Sequence, residues 1–574
     1  MHKNLVSVPM NKLYVIVLLI VFSSCKRRSS VADSSANASF IDFSFFGDSK
    51  IKIDSVLITN ENVKAFYKKH NYETVWDNAA NRSYVLSEIE NAENEGLESE
   101  DYSFKKLKSF ENNYKNLADS LLVKYDVLLT SNVQLYIKHI SQGKLNPKEL
   151  YNDWDIKEKN VDVNSILSHC FESSDFEKTI ENCKPNHSIY QKLKTCLKLL
   201  HQFPDDRKIG LVNLKEKILP NKKNRYVHII KKRLMYWNDL KIKDTILSNF
   251  YDKNTQEAVR LFQKRHGLIA DAIIGRTTID ALNYYKSQRI EQVIANMERW
   301  KWYAHNFGNS YLLINIPDYT IVAIKDNDTM QTQRVVVGRD TRKTPILESK
   351  ISNINLNPNW TVPPTILKED IYPDAEKDKG VFRKKGLVIL NNKNEEVNPW
   401  TWKREDAYKY KYVQNPGRNN SLGLMKINFP NKYSVYLHDT NHRDYFAFTY
   451  RSLSSGCVRL EKPLEMATYI LNDTIKWPLQ KIMDTTDIKH YYKLQKEKQI
   501  IIDKKNAKLL AKNPTLVIEK KTLPKPTLKT IVVKVTEDIF IHQLYWTAWE
   551  NKGILQFRED IYCLDSNLYS KLRY

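Results

Sequence analysis

The sequence predicts an α+β chain of several domains, mostly helical in its first half and mostly β in its second. Three observations carry this expectation. The 574 residues exceed what one hydrophobic core organises, so three or four domains are expected. Apolar residues recur at helical spacing as far as Trp302, and from Ser310 the period changes to two. A hydrophobic content of 42%, with many aromatics, fits folded domains rather than disorder.

Lys3 and Lys12 precede an apolar run from Leu13 to Phe22, and Ser23-Ser24-Cys25 follows. The run of about ten residues is too short to span a bilayer and suits the centre of a signal peptide. The small pair before cysteine resembles a bacterial lipobox, with Phe22 where Leu is more usual. That resemblance implies removal of residues 1–24 and lipidation of Cys25. An ordinary secretory signal or a short anchor is the alternative, and all three readings put the rest of the chain outside the cytoplasm. Residues 25–48, small and polar from Ser29 to Ser39, read as a tether. Cys170, Cys183, Cys196, Cys457 and Cys563 complete the cysteines. An odd number in an exported protein leaves at least one thiol unpaired, and Cys457 is the natural candidate. One disulfide among the others stays open.

Residues 49–222 read as a helical scaffold, with apolar residues at helical spacing in Asn62 to Lys69 and Leu86 to Ala92. Residues 223–285 change character. Val227 to Leu234 is amphipathic, Tyr251-Asp252 opens a helix from Thr255 to His266, and Gly267-Leu268 closes it. Asp271 and Gly275 mark a turn, and Thr277-Thr278 caps Ile279 to Leu282. This order resembles the small three-helix peptidoglycan-binding module, with Asp271-Ala272 where Asp-Gly is usual. Residues 286–308 supply a connecting helix, Ser287 to Trp302, with Ile290, Val293, Ile294, Met297 and Trp300 as its apolar stripe. Strands follow at Tyr311 to Ile316, Thr320 to Ile324 and Thr332 to Gly338, opening a β-rich domain over 309–483. Residues 484–524 are Lys-rich and read as a solvated linker or insertion. Residues 525–574 read as a strand and turn that dock on a domain.

The formal charge of +23 comes from lysines spread along the chain with Asn, Ile and Tyr, which reads as solvated surface. No nucleic-acid partner is expected. With 14 glycines and no G-x-x-x-x-G-K-S/T or G-x-G-x-x-G pattern, nucleotide binding has no support, and no cofactor is expected.

The chemistry concentrates in two segments of the β-rich domain. Tyr436-Leu437-His438-Asp439-Thr440 ends a β-prone stretch in a histidine. Ser454-Ser455-Gly456-Cys457-Val458-Arg459 holds a cysteine behind a tight turn. A thiolate needs a base to form it and donors to stabilise the oxyanion it creates, and both are at hand here. These residues point to acyl transfer by a cysteine nucleophile. His438 and His442 have the spacing of a helical metal pair, but the intervening Asp439-Thr440-Asn441 is turn-like and lacks Glu, so no metal is assigned.

Together with Asn415-Pro416-Gly417, Leu422-Gly423, Phe429-Pro430-Asn431, Thr344-Pro345, Asn357-Pro358-Asn359-Trp360 and the tail motif Thr547-Ala548-Trp549, these segments resemble the catalytic domain of L,D-transpeptidases. The large periplasmic branch, which joins a helical scaffold, a peptidoglycan-binding module and this domain, fits best. The resemblance implies that Cys457 attacks a stem tetrapeptide at its third residue. D-alanine is expelled, and the thioester passes to an amine of a second stem in a 3–3 cross-link. His438 moves the proton, Tyr436 and Asp439 orient it, and the amides of Gly456 and Cys457 form the oxyanion hole. Arg459 attracts a substrate carboxylate. Trp360, with the segment from Ile366 to about Tyr412, supplies a wall and a flap, in which Trp400 and Trp402 suit sugar or peptide contact. Ser455 stands where the family most often carries histidine, so assistance from that position is in doubt. Implied partners are peptidoglycan stems and glycan, a membrane through the lipid anchor, and cell-wall synthases, in a periplasmic location. The alternatives are an L,D-carboxypeptidase using the same site and a catalytically weak lipid-anchored peptidoglycan-binding protein.

Overall fold

In the computed structural model, which describes residues 50–241, 246–513, 523 and 527–573, side-chain caps set the starts of the first helices. Asn60 and Asn78 accept from backbone amides of the first turns of Glu61–Lys69 and Ala79–Glu90. These helices pack on the long helix Asp119–Gln142 around a core of its own that includes Phe66, Tyr67, Trp76, Leu129 and Ile137. The expectations for the signal peptide, the tether and Cys25 lie outside the described residues. All five cysteines among the described residues are free thiols, and Cys170, Cys183 and Cys196 are buried.

The module that follows has helices Val227–Tyr236, Lys253–Arg265 and Arg276–Leu282. Asp252 caps the second, as its position predicts. The third is capped at Gly275, so Thr277 and Thr278 lie inside its first turn rather than before it. Ala272, at the position where glycine is usual, adopts φ +62. Its amide is tied down by the Gln263 side chain, which also reaches Ile273 O and Thr278. That network holds a left-handed conformation that a Cβ disfavours.

The connecting helix runs Lys286–Trp302 and is enclosed on more sides than an amphipathic stripe predicts. Asn296, Glu298, Arg299 and Lys301 are as buried as Val293 and Met297. The reason lies far along the chain: Thr547 bonds Gln292 and Asn296, and Asp565 pairs with Arg299.

The strands are β1 (Trp154–Asp155), β2 (Ser310–Asn315), β3 (Thr320–Lys325), β4 (Asp328–Gly338), β5 (Ile346–Lys350) and β6 (Asn353–Leu356). Next come β7 (Trp360–Thr361), β8 (Leu387–Leu390), β9 (Glu396–Val397), β10 (Lys411–Gln414), β11 (Met425–Asn428) and β12 (Leu437–His438). The last are β13 (Ser452–Ser454), β14 (Val458–Leu460), β15 (Ile531–Lys534), β16 (Phe540–Leu544), β17 (Ala548–Asn551) and β18 (Ile554–Phe557). The large sheet runs β1-β5-β16-β2-β3-β4-β14-β12-β11-β6-β15, with β13 beside β4.

Two expectations are revised by this topology. β1 comes from the span expected to be helical, because Trp154 packs edge-on to Trp302 and pairs in register with Ile346. The last fifty residues do not merely dock: β16 lies between β2 and β5 inside the sheet, and β15 extends its edge. The Lys-rich segment, read as a solvated linker or insertion, is solvated where it is described. It forms the helix Ile488–Lys512, none of whose residues is buried. Strand patterning reads burial on a face, but it does not identify the partner strand when hundreds of residues separate the two.

Residues 360–414 form an insert with its own sheet, β7-β10-β8-β9, and its own core of Val362, Leu367, Phe382, Ile389, Trp402 and Tyr412. Trp402 is buried and donates to Tyr412 Oη at 2.7 Å, so it is packed rather than offered to a ligand. Trp400 is 64% exposed and retains that option.

Candidate active site

Three neighbouring strands build the site by alternation. Leu437, Val458 and Ile427 turn into the core, so Tyr436, His438, Cys457, Arg459 and Lys426 share the opposite face. β12 and β14 pair in parallel, with Leu437 opposite Val458 and His438 opposite Arg459. The Val458 amide donates to Tyr436 O at 3.1 Å, which places Cys457 beside Tyr436 and one step from His438. On the other flank, β11 sets Lys426 opposite His438.

Cys457 is partly exposed, and burial of its surroundings pushes its thiol above the ordinary range. Tyr436 is the neighbour that most favours the thiolate, and Lys426 and Arg459 act on it through their charge. Trp360, on β7 of the insert, is half-buried and neighbours Tyr436. His438 is buried, and its Nδ1 lies 2.5 Å from Asp439 O. A carbonyl only accepts, so Nδ1 carries the hydrogen and the Nε2 lone pair is left as the basic site. Burial first, then the Arg459 charge, pushes His438 down to about 3. The resting pair is therefore a neutral thiol and a neutral imidazole.

Asp439 orients His438 through its main-chain oxygen, not its carboxylate. The carboxylate accepts from Leu424 N at 2.9 Å and from Arg443 at 2.9 Å. It also fills the space where a Cβ on Gly423, at φ +58, would collide. Asp439 thus sets the local backbone and has no carboxylate free for substrate. Gly456 needs a second correction. Its amide, expected in the oxyanion hole, donates to Ser454 Oγ at 3.2 Å, and its carbonyl accepts from Thr344 at 2.9 Å. With φ +108 and a tight approach to Lys343 O, glycine at this position shapes the turn. Ser455 is exposed, and its Oγ accepts from Arg342 at 3.0 Å. Arg342 is in turn paired with Glu369 and Asp370 of the insert.

Arg459 donates to Thr440 Oγ1 at 3.3 Å, lies over the Tyr445 ring, and keeps a buried Nε without a partner. His442 stacks on Tyr445 at 4.9 Å. Sequence reasoning missed the roles of Lys426, Arg342, Thr344 and Tyr562. Tyr562 Oη donates to Gly338 O at 2.6 Å and accepts from Thr344 N at 3.0 Å, so the C-terminal tail braces the turn that carries Cys457. Of these, only Lys426 left a local signal, as the polar member between Met425 and Ile427 in an alternating strand.

Comparison with known proteins agrees with this layout. Residues 61–197 match the model of a scaffold domain, 225–282 that of a "putative peptidoglycan binding domain", and 309–489 that of an L,D-transpeptidase catalytic domain. A protein of Haemophilus influenzae named "Putative L,D-transpeptidase" is 34% identical over 206 residues, which is 34% of this chain and 42% of that protein. The match therefore spans less than half of that relative. Among solved structures, an L,D-transpeptidase from Stackebrandtia nassauensis matches at 15% identity and TM-score 0.19, over 45% of this chain and 91% of its own. One from Xylanimonas cellulosilytica matches at 15% and 0.15, over 46% and 96%. Overlap at those scores carries no argument.

Proposed function

Starting from a chain that carries a YkuD-type L,D-transpeptidase catalytic domain beside a peptidoglycan-binding domain, we propose that it is a peptidoglycan L,D-transpeptidase forming 3–3 cross-links through a thioester on Cys457. The observation that supports this most is the shared face of β12 and β14, on which Tyr436, His438, Cys457 and Arg459 stand in consecutive positions.

His438 Nε2 takes the thiol proton as the sulfur attacks the carbonyl carbon of the third stem residue. The C–N bond to D-alanine breaks, the leaving nitrogen receives that proton, and a thioester remains. The amine of a second stem then attacks the thioester, gives a proton to His438, and the sulfur departs as a thiol. Starting from a neutral pair suits this sequence, because the imidazole is a base before the first step and an acid after it. With the Gly456 amide engaged, the Cys457 amide and the Tyr436 hydroxyl are the donors left for the oxyanion. Arg459, with a free buried Nε, suits a substrate carboxylate. The N-terminal pattern ending in Cys25 supports an envelope location with a lipid anchor, which mass analysis of the mature N-terminus would test.

Intact-mass measurement after incubation with a tetrapeptide stem or a carbapenem tests the nucleophile. The chain should gain one acyl group, and Cys457→Ala should gain none. An acylated Cys457→Ala would overturn the assignment. Product analysis with muropeptides separates transfer, which gives dimers, from carboxypeptidase action, which gives shortened monomers.

A further inference from the structure

Elsewhere in this molecule, buried cations have acids or a set of backbone carbonyls, as Arg233 and Arg451 do. Arg265 pairs with Asp239 at 2.7 Å, Arg299 with Asp565 at 2.5 Å, and Lys184 with Glu88 at 2.9 Å. The face that carries Cys457 departs from that pattern. His438 has a cation opposite it on each side: Lys426 on β11 and Arg459 on β14. Adjacent strands lie about 4.8 Å apart, so the backbones bearing these cations are about 10 Å apart with the imidazole between them.

Neither cation forms an ion pair among the described residues. Lys426 Nζ sits 3.9 Å over the Tyr436 ring, and the thiol of Cys457 is the ionisable group that favours its charge. Its partial burial favours loss of the charge, which a bound anion would reverse. Arg459 has one weak bond to a hydroxyl and an unpartnered Nε, with Asp444 near enough to act on its charge but not paired with it. A cation taken from water without an anion costs stability, and its retention here fits an anion that arrives with the ligand.

We propose that Lys426 is the second arm of a carboxylate clamp, which seats a ligand bearing two carboxylates about 10 Å apart across His438. The clamp rests on the transpeptidase reading and narrows its substrate class. The preferred donor is a stem peptide whose two flanking carboxylates are both free acids, one held by Arg459 and one by Lys426. A stem with one of them converted to an amide is disfavoured. Burial holds His438 low first, and seating such a ligand offsets the two charges that add to it.

Alkylation of Cys457 by iodoacetamide in the full chain, followed by the mass of the Cys457 peptide, provides the test. Azelate, a nine-carbon dicarboxylate whose extended carboxylates lie about 10 Å apart, should protect at roughly tenfold lower concentration than octanoate, which has one carboxylate. In K426Q that advantage should fall to about twofold or less, and K426R should restore it. K426M serves if K426Q does not fold. Equal protection by the two acids in the wild type, or an unchanged advantage in the glutamine or methionine variant, would overturn the clamp. Alkylation needs no acyl transfer. A chain that forms no thioester with a stem yet distinguishes the two acids would overturn the proposed function alone. A chain that forms the thioester without that distinction would overturn the clamp alone.

Discussion

Arg299 and Arg459 are both arginines held against the protein interior, and the molecule treats them oppositely. Arg299 is fully buried, bonded to Asp565 and Asn296, and set over the Tyr545 ring. Its work is to fasten the Lys286–Trp302 helix to the C-terminal tail. Arg459 has neither an acid nor a full set of acceptors. A saturated charge fixes structure, because every bond it can make is already made. An unsaturated one leaves the protein with an interaction it can complete only with something else. The same distinction separates Lys184, ringed by Glu88, Glu95 and Glu181, from Lys426.

The sharpest break of that comparison comes from the chemistry. His438→Gln should lower the rate of thioester formation by roughly a hundred- to ten-thousandfold, while the urea midpoint moves little. A large loss of stability instead would mark His438 as structural. Next in size is Asp565→Ala, which strands Arg299 and should cost about 3–5 kcal/mol in denaturant unfolding. Arg459→Ala should stay within about 1 kcal/mol of the wild type, or gain stability, and lose turnover. Reversed stabilities would end the distinction drawn here.

Tyr436→Phe removes a hydroxyl beside Cys457 that favours its thiolate. Acylation should fall roughly tenfold, about 1.4 kcal/mol, as the sulfur and the oxyanion lose a polar neighbour. An unchanged rate would remove Tyr436 from the oxyanion site. The smallest effect is in the pH profile. The thiol is raised by burial and His438 is depressed to about 3, so between those two values neither group is charged. Alkylation of Cys457 should therefore climb steadily with pH through and beyond 8, as the thiolate fraction grows. A plateau from about pH 4 to 8 would reveal a thiolate–imidazolium pair instead.

Much of this was legible in the chain. The change of hydrophobic period near Ser310 marked where the strands begin, and the observed β2 begins at that residue. The helix Val227–Tyr236 and its two successors stand where apolar spacing and Asp252 put them. His438, Cys457 and Arg459 could be picked out because their residue types are unusual beside a tight turn. What misled was the use of single groups. The Gly456 amide and the Asp439 carboxylate both have local partners, Ser454 in one case and Leu424 with Arg443 in the other, that a residue list does not reveal.

The amino-acid order by itself determined the helices, the strand alternation and the choice of candidate nucleophile and base, because these follow from periodicity and side-chain chemistry within a few residues. Only the tertiary structure decided that β16 from the tail enters the sheet between β2 and β5. It also decided that Tyr562 braces the cysteine turn, and that Lys426 and Arg459 flank one imidazole without acids. Those facts depend on strand register between distant segments, and register is set by how whole faces bury together rather than by any local pattern.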